Sequence, residues 1–301
     1  MDLRALLMGL AFAAMWSSAF TSARIIVAEA PPLAALSLRF AISGALAIGI
    51  ATALGQSWRL TRGQAGATIL FGLCQNALYL GLNFVAMQTI EASLAAIIAS
   101  TMPLLVALTA WLAFGERLPF TGIAGLAAGF VGVALIMGSR LQGGADPVAV
   151  GLCVVGVLAL TFATLAVRGA SSGGNLLMIV GLQMLVGSAA LLVPAALLET
   201  WAFTPSWTLG LAFLYTTLVP GLAATLVWFM LVGRIGATRA ATFHFLNPFF
   251  GVAIAAILLG ETMGWTDVAG VVIITAGILA VQTARQRPPN AAVTGSASEM
   301  K

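Results

Sequence analysis

Apolar residues along this chain come in long blocks separated by short polar breaks. A membrane-crossing helix needs about 20 mostly apolar residues, and ten blocks qualify, at roughly 5–26, 33–54, 65–86, 92–114, 121–139, 148–168, 176–197, 208–232, 238–259 and 266–284. The breaks carry helix-stopping residues such as Pro31-Pro32, Gln56-Ser57-Trp58, Gly143-Gly144 and Ser171-Ser172-Gly173-Gly174. The blocks are rich in Leu, Ala and Gly and lack the period-two alternation of a membrane β-barrel. The pattern predicts an all-α integral membrane protein of ten transmembrane helices.

Composition supports this. Of 301 residues, 61% are apolar and 7% are charged, whereas soluble domains carry about 25% charge. Too few charges remain to coat a water-facing particle, so the outer surface meets lipid. The net charge of +4 does not indicate nucleic acid, because the arginines are scattered among short loops. Cys74 and Cys153 sit inside apolar blocks without metal-site spacing, and a single histidine, His244, excludes a multi-histidine metal centre.

Ala28-Glu29-Ala30 has the small-x-small form of a signal-cleavage site. The run before it is longer than a typical signal core, carries Ser17, Ser18, Thr21 and Ser22, and is followed by Pro31, so the first block is expected to be a retained span. In alternate loops, one side holds Arg4, Arg59, Arg62, Arg117, Arg168, Arg234, Arg239, Arg285, Arg287 and Lys301, and the other only Arg24 and Arg140. Positive charge marks the cytoplasmic side. Both termini are therefore expected in the cytoplasm, which requires an even number of spans. Residues 286–301, polar with Pro288-Pro289, read as a disordered cytoplasmic tail.

The chain also repeats itself. Pro103, Gly115-Glu116, Thr121, Gly125 and Gly132 match Pro248, Gly260-Glu261, Thr266, Gly270 and Gly277 at a constant offset of 145. The match weakens toward the start of each half, where Gly9 and Phe20 face Gly151 and Phe162. Thr121 and Thr266 stand where a helix N-cap is wanted. The halves, 1–142 and 143–285, hold five spans each, and an odd number implies that the second lies upside down relative to the first. Inverted repeats are frequent in secondary transporters, with channels and some membrane enzymes as other cases.

The order of spans, Trp16-Ser17-Ser18 in the first of them and the twice-used Pro…Gly-Glu pattern resemble the EamA branch of the drug/metabolite transporter superfamily, over about residues 5–284. Within that branch the chain looks most like the aromatic amino acid exporters of the YddG type. The resemblance implies a secondary transporter that exports small metabolites, aromatic amino acids first, across the cytoplasmic membrane by alternating access.

Polar groups inside a membrane tend to face a cavity or another helix. Gln75, Tyr79 and Asn83 recur on one face of the third block, and Ser93, Ile97 and Ser100 on one face of the fourth. Pro103 and Pro248 interrupt their helices and bare carbonyls. Thr242, His244 and Asn247 precede Pro248, and Trp228 is the repeat equivalent of Asn83, with Tyr215, Thr217 and Thr225 nearby. The candidate substrate-binding residues are Trp16, Ser17, Gln75, Tyr79, Asn83, Ser100, Trp228, His244 and Asn247. Aromatic rings suit a flat apolar solute, and Ser, Asn and helix breaks suit a zwitterionic amino acid or related metabolite. Against this stand two ordinary roles: Trp and Tyr as interface anchors, and Ser or Thr bonding its own helix.

Other polar residues read differently. His244 serves proton movement or hydrogen bonding, with both open. Arg39, about 9 Å inside its span at about 1.5 Å per residue, snorkels, bonds carbonyls or pairs with a carboxylate substrate. Glu116 and Glu261 read as structural caps of the following turn. Gly122, Gly125, Gly129 and Gly132 allow close helix approach, within the scaffold or in a homodimer; the chain is a monomer or a homodimer with lipid around it. There is no phosphate-binding loop, no cofactor is expected, and no carboxylate lies near the middle of a span. That leaves export down a gradient or weak coupling through His244. A membrane enzyme would need a nucleophile or metal set that is missing here, and a pure scaffold would not need polar faces on several helices.

Overall fold

A computed structural model describes residues 3–116, 118–167 and 172–286. Among them it holds helices and no strand, and ten helices are long and apolar enough to cross a membrane. They run Leu3–Glu29, Pro32–Ala53, Arg62–Ala86, Ala92–Phe114, Phe120–Gln142, Pro147–Ala166, Leu176–Leu198, Trp207–Ile235, Arg239–Leu259 and Trp265–Ala284, and are numbered here as spans 1 to 10. Every boundary falls within three residues of the expected one. The expected tail lies, from residue 287 on, outside the described residues, as do Arg117, Arg168 and Lys301.

Between 28% and 44% of each span's most apolar stretch is buried inside the chain. The rest is apolar and outward-facing, with Leu112, Val131, Leu197 and Ile257 each more than 60% exposed. Such a belt is stable only against lipid.

Helix starts set the arrangement, because the first N–H groups of a helix have no partner within it. The Glu199 carboxylate, just past span 7, accepts from Leu33 N and Ala34 N at 2.7 and 2.9 Å, at the start of span 2. Gln56 Oε1, just past span 2, accepts from Met178 N at 3.0 Å, at the start of span 7. Spans 2 and 7 therefore lie side by side and antiparallel, each capping the other. Glu261 accepts from Ala92 N and Ser93 N at 2.7 and 3.0 Å. It caps span 4 from the other half of the chain, and not the turn that follows it. The threonines expected as N-caps do not cap. Pro119 precedes span 5 without a side-chain cap bond, and Thr266 Oγ1 pairs with Ser139 Oγ at 3.0 Å. The start of span 10 is held instead by Asp267, whose Oδ2 accepts from Gly264 N at 2.9 Å.

Two helix pairs close on glycines. Gly44 and Gly181 bring spans 2 and 7 together, and a Cβ on either would stand within 3.0 Å of the other's carbonyl oxygen. In spans 5 and 10, Gly125 meets Gly277 and Gly132 meets Gly270. Numbering rises along one helix as it falls along the other, so these spans are antiparallel too. These glycines of span 5 face span 10 of the same chain, which assigns them to scaffold packing. Small residues let backbones approach where lipid offers no hydrophobic drive between helices.

At Gly277 an added Cβ would lie 2.6 Å from Gly125 O and 2.7 Å from Gly129 N, backbone atoms that cannot turn aside. Gly277→Ala is expected to lose about 1–3 kcal/mol through overpacking. Gly138→Ala, where nothing lies within 4 Å, should be neutral or slightly stabilising. Thermal unfolding of the purified protein in detergent compares the two, and equal melting temperatures would refute the close packing.

Candidate functional site

Four spans contain an irregular stretch. Span 4 consists of helices Ala92–Ala99 and Met102–Phe114, with a break at Ser100 and Thr101. Span 9 tightens to a 3-10 helix over Thr242–Leu246 before the helix Asn247–Leu259. Pro103 and Pro248 occupy the second position of the helices they open, where a missing N–H costs least. Both prolines thus start a new helix, as the sequence leads one to expect. Spans 3 and 8 contain π-helical stretches, Gly72–Tyr79 and Val219–Ala223, which the sequence reading did not foresee. Shifting 72–79 by 145 gives 217–224, which encloses the second stretch. Pro220 in span 8 was a usable signal; span 3 offered only Gly72.

These irregular segments surround two adjoining cavities. The first is lined by Trp16, Ser17, Tyr79, Ser100, His244 and Asn247, with Phe20, Met102, Pro103 and Leu160 among the apolar wall. Six of the nine candidate residues therefore meet in one place. Asn83 lines the second cavity, beside Arg39 and Pro220, and Trp16, Phe20 and Tyr79 line both and form the partition. The cavities measure about 40 and 50 Å³. That is room for a few waters, far below the several hundred Å³ of a typical ligand pocket. A larger guest requires the spans to part.

Several polar groups are held by neighbouring spans. Ser17 Oγ donates to Asn247 O at 3.2 Å, joining spans 1 and 9. Asn247 Nδ2 lies 3.0 Å from His244 Nδ1; with the amide so oriented it donates, leaving the imidazole proton on Nε2. The ring of Phe12 meets His244 edge-on, with centroids 5.2 Å apart at 88°, and Trp228 lies 5.2 Å from His244 and 4.7 Å from Phe12. Trp228 thus backs His244 and lines neither cavity. Gln75 is half-buried and also lines neither. Its neighbour Asn76, not singled out from the sequence, is buried and donates to Gln183 O at 2.9 Å. The widened π turn changes which residues point inward, so four-residue spacing misplaced that end of the face.

Ser100 Oγ donates to Ala96 O at 2.7 Å in its own helix, so it offers the cavity lone pairs only. Asn83 Nδ2 donates to Tyr79 O at 2.7 Å. Asn83 Oδ1 and Asn247 Oδ1 are buried without partners, two acceptors on residues that line the cavities. Thr217 and Thr225 bond their own helix, whereas Tyr215 OH reaches Ser18 Oγ at 2.8 Å. Phe12 and Phe20 are not among the candidate site residues, although each lies four residues from Trp16, a same-face spacing that marks them. Leu160 carried no signal. Arg39 Nε donates to Thr216 O at 3.2 Å. That carbonyl faces position 220, a proline with no N–H to give, so the carbonyl-bonding role expected of Arg39 has a named acceptor.

Ten apolar helices with polar interruptions gathered around two cavities make a multi-pass membrane protein. The chain belongs to the EamA-like transporter family, whose family model matches it twice, over residues 3–138 and 148–283. Both ends of the second match are displaced by 145, the offset of the sequence repeat. The chain is similar to the "Uncharacterized transporter YvbV" of Bacillus subtilis (strain 168), at 25% identity over 288 residues, 93% of this chain and 92% of that protein. A segment of 68 residues, 23% of each chain, is 40% identical to a "Probable amino-acid metabolite efflux pump" of Salmonella typhimurium. A solved crystal structure shares the fold over 96% of this chain and all of its own, with a TM-score of 0.69 at 19% identity.

Tyr79 faces both cavities, while Trp228 acts through His244. Tyr79→Ala is expected to slow solute movement in proteoliposomes by about tenfold, equivalent to about 1.4 kcal/mol, and Trp228→Ala by a smaller factor. Both should still fold; unchanged rates would remove them from the site.

Proposed function

We propose that this protein is a secondary transporter that exports amino acids or related metabolites, aromatic ones first, by alternating access between two inverted halves, 1–142 and 143–285. The observation that carries this reading is the convergence of paired interruptions from both halves on one aromatic-lined cavity that also holds polar groups: Ser100–Pro103 and Thr242–Pro248, the latter with His244, and Trp16 and Tyr79 beside them. Equivalent breaks in inverted halves can exchange conformations, which moves an opening from one side of a fixed site to the other. The antiparallel crossings of spans 2 with 7 and 5 with 10 support inversion.

On this reading both termini lie in the cytoplasm and the chain in the cell membrane. On the face opposite the termini, Arg24 donates to the carbonyls of Met87 and Gln88, and Arg140 pairs with Glu91 and with Asp267. These two arginines are engaged within the fold, and the other loop arginines of the sequence lie on the face of the termini, in keeping with the charge rule. The efflux-pump name of the Salmonella relative supports amino acids as solutes. Among the described residues no carboxylate lines either cavity, which favours downhill export, with His244 as the site of any weaker proton coupling. Export of other metabolites or drugs by the same machinery is the second reading, favoured by the mostly apolar wall. Membership of a transporter family favours transport over a membrane enzyme or scaffold.

Uptake of a labelled amino acid panel by proteoliposomes tests this. Saturable entry of phenylalanine or tryptophan that stops at equal concentrations is expected. No entry of any amino acid would refute the substrate class, and accumulation that appears only under a pH gradient would replace downhill export with proton coupling.

A further inference from the structure

Arg39 is a cation inside the membrane-spanning region with no opposite charge beside it. It is only 6% exposed, and no carboxylate pairs with it among the described residues. A buried charge without a counter-charge is costly, and a guanidinium cannot escape by losing its proton. Its Nε is used by Thr216 O, and its flat face lies 5.2 Å from the ring of the adjacent Phe40. Neither contact engages the two terminal nitrogens, and Arg39 lines the second cavity. A single-donor clamp on Thr216 O would not need a fork of further N–H groups.

The surroundings are shaped for a second group. Ser43, one helical turn on from Arg39, is fully buried, and its Oγ has no hydrogen-bond partner. Both side chains converge on Gly221 in the π-helical stretch of span 8. A Cβ there would stand 3.1 Å from Thr216 O, 3.4 Å from Arg39 Nη2 and 3.5 Å from Ser43 Oγ. Glycine keeps this niche open. Asn83 Oδ1, an unpartnered acceptor on the wall of the same cavity, suits an ammonium group. A guanidinium fork with a neighbouring hydroxyl matches a carboxylate, which accepts two parallel N–H bonds and a third from the hydroxyl.

We propose that Arg39, on the wall of the second cavity, and Ser43, which meets it at Gly221 just behind that wall, form an anion site that takes the carboxylate of the carried solute. The proposal rests on the reading of the two cavities as the solute path. It makes the second cavity a carboxylate end and the first, behind Trp16, Phe20 and Tyr79, the end for the side chain. The partition must move for both ends to be filled at once.

Phenylacetate and phenylacetamide, close in shape but different in charge, test this by thermal shift of the purified full-length protein in detergent. Phenylacetate should raise the melting temperature saturably and phenylacetamide should not. Arg39→Gln should weaken the apparent affinity for phenylacetate by roughly tenfold or more, the scale of a lost charged hydrogen bond. No shift with either compound, equal shifts with both, or an affinity unchanged in Arg39→Gln would overturn the site. If that variant does not fold, Arg39→Lys keeps the charge and loses the fork; it should bind several-fold more weakly, and unchanged binding overturns the site. Binding is read here without transport. A protein that binds phenylacetate through Arg39 and moves no amino acid refutes only the export reading. One that moves an amino acid equally well as Arg39→Gln refutes only the anion site.

Discussion

A backbone N–H or C=O left unpaired in hydrocarbon costs several kcal/mol, and this bundle is organised around meeting that requirement wherever a helix starts, ends or breaks. The partners come largely from the other half of the chain. Glu199 and Glu261 cap helix starts in the first half. Gln56 caps one in the second, Arg39 takes the carbonyl orphaned by Pro220, and Asn76 and Ser17 bond Gln183 O and Asn247 O. Each of these bonds joins the halves at a point where at least one partner's helix starts, ends or is irregular. The glycine crossings at Gly44–Gly181 and Gly125–Gly277 supply the close approach that makes several of them reachable.

The same constraint explains where polar chemistry is found. A regular helix satisfies itself and presents lipid-like side chains. An irregular one must be answered by a side chain from elsewhere, so interruptions collect polar residues, and polar residues collect space. The cavities lie among the breaks of spans 4 and 9 and beside the π stretches of spans 3 and 8. In a contracted state they hold little more than water. On the proposed cycle, opening separates spans whose contacts are few hydrogen bonds and ring faces, such as Ser17 with Asn247 and Phe12 with His244. The carboxylate-capped ends and glycine crossings stay together and act as the rigid frame.

The site was partly legible before the fold was known. Trp16, Ser17, Tyr79, Ser100, His244 and Asn247 are polar or aromatic residues of the apolar blocks, several of them near prolines or on one helical face, and they do meet. The choice failed where it assumed regular helices. Gln75 shares a four-residue rhythm with Tyr79 and Asn83, but the π turn between them changes the face, and Asn76 takes the inward position. Trp228 corresponds to Asn83 by repeat offset, yet its larger ring packs behind His244. Equivalence in sequence does not carry over to equivalence of role when the side chains differ in size.

The sequence by itself determined the spans, the doubling of the chain and the positions of the proline breaks. Each of these follows from local physics: transfer of apolar side chains into lipid, and a proline's missing N–H. Only the tertiary structure decided that Glu261 caps span 4 and not its own next turn, that the span 5 glycines face span 10, and that Arg39 lines a cavity with its Nη2 near Gly221. Those are pairings between residues 138 to 182 positions apart. No spacing along one helix encodes them, because they depend on which helices the bundle sets side by side.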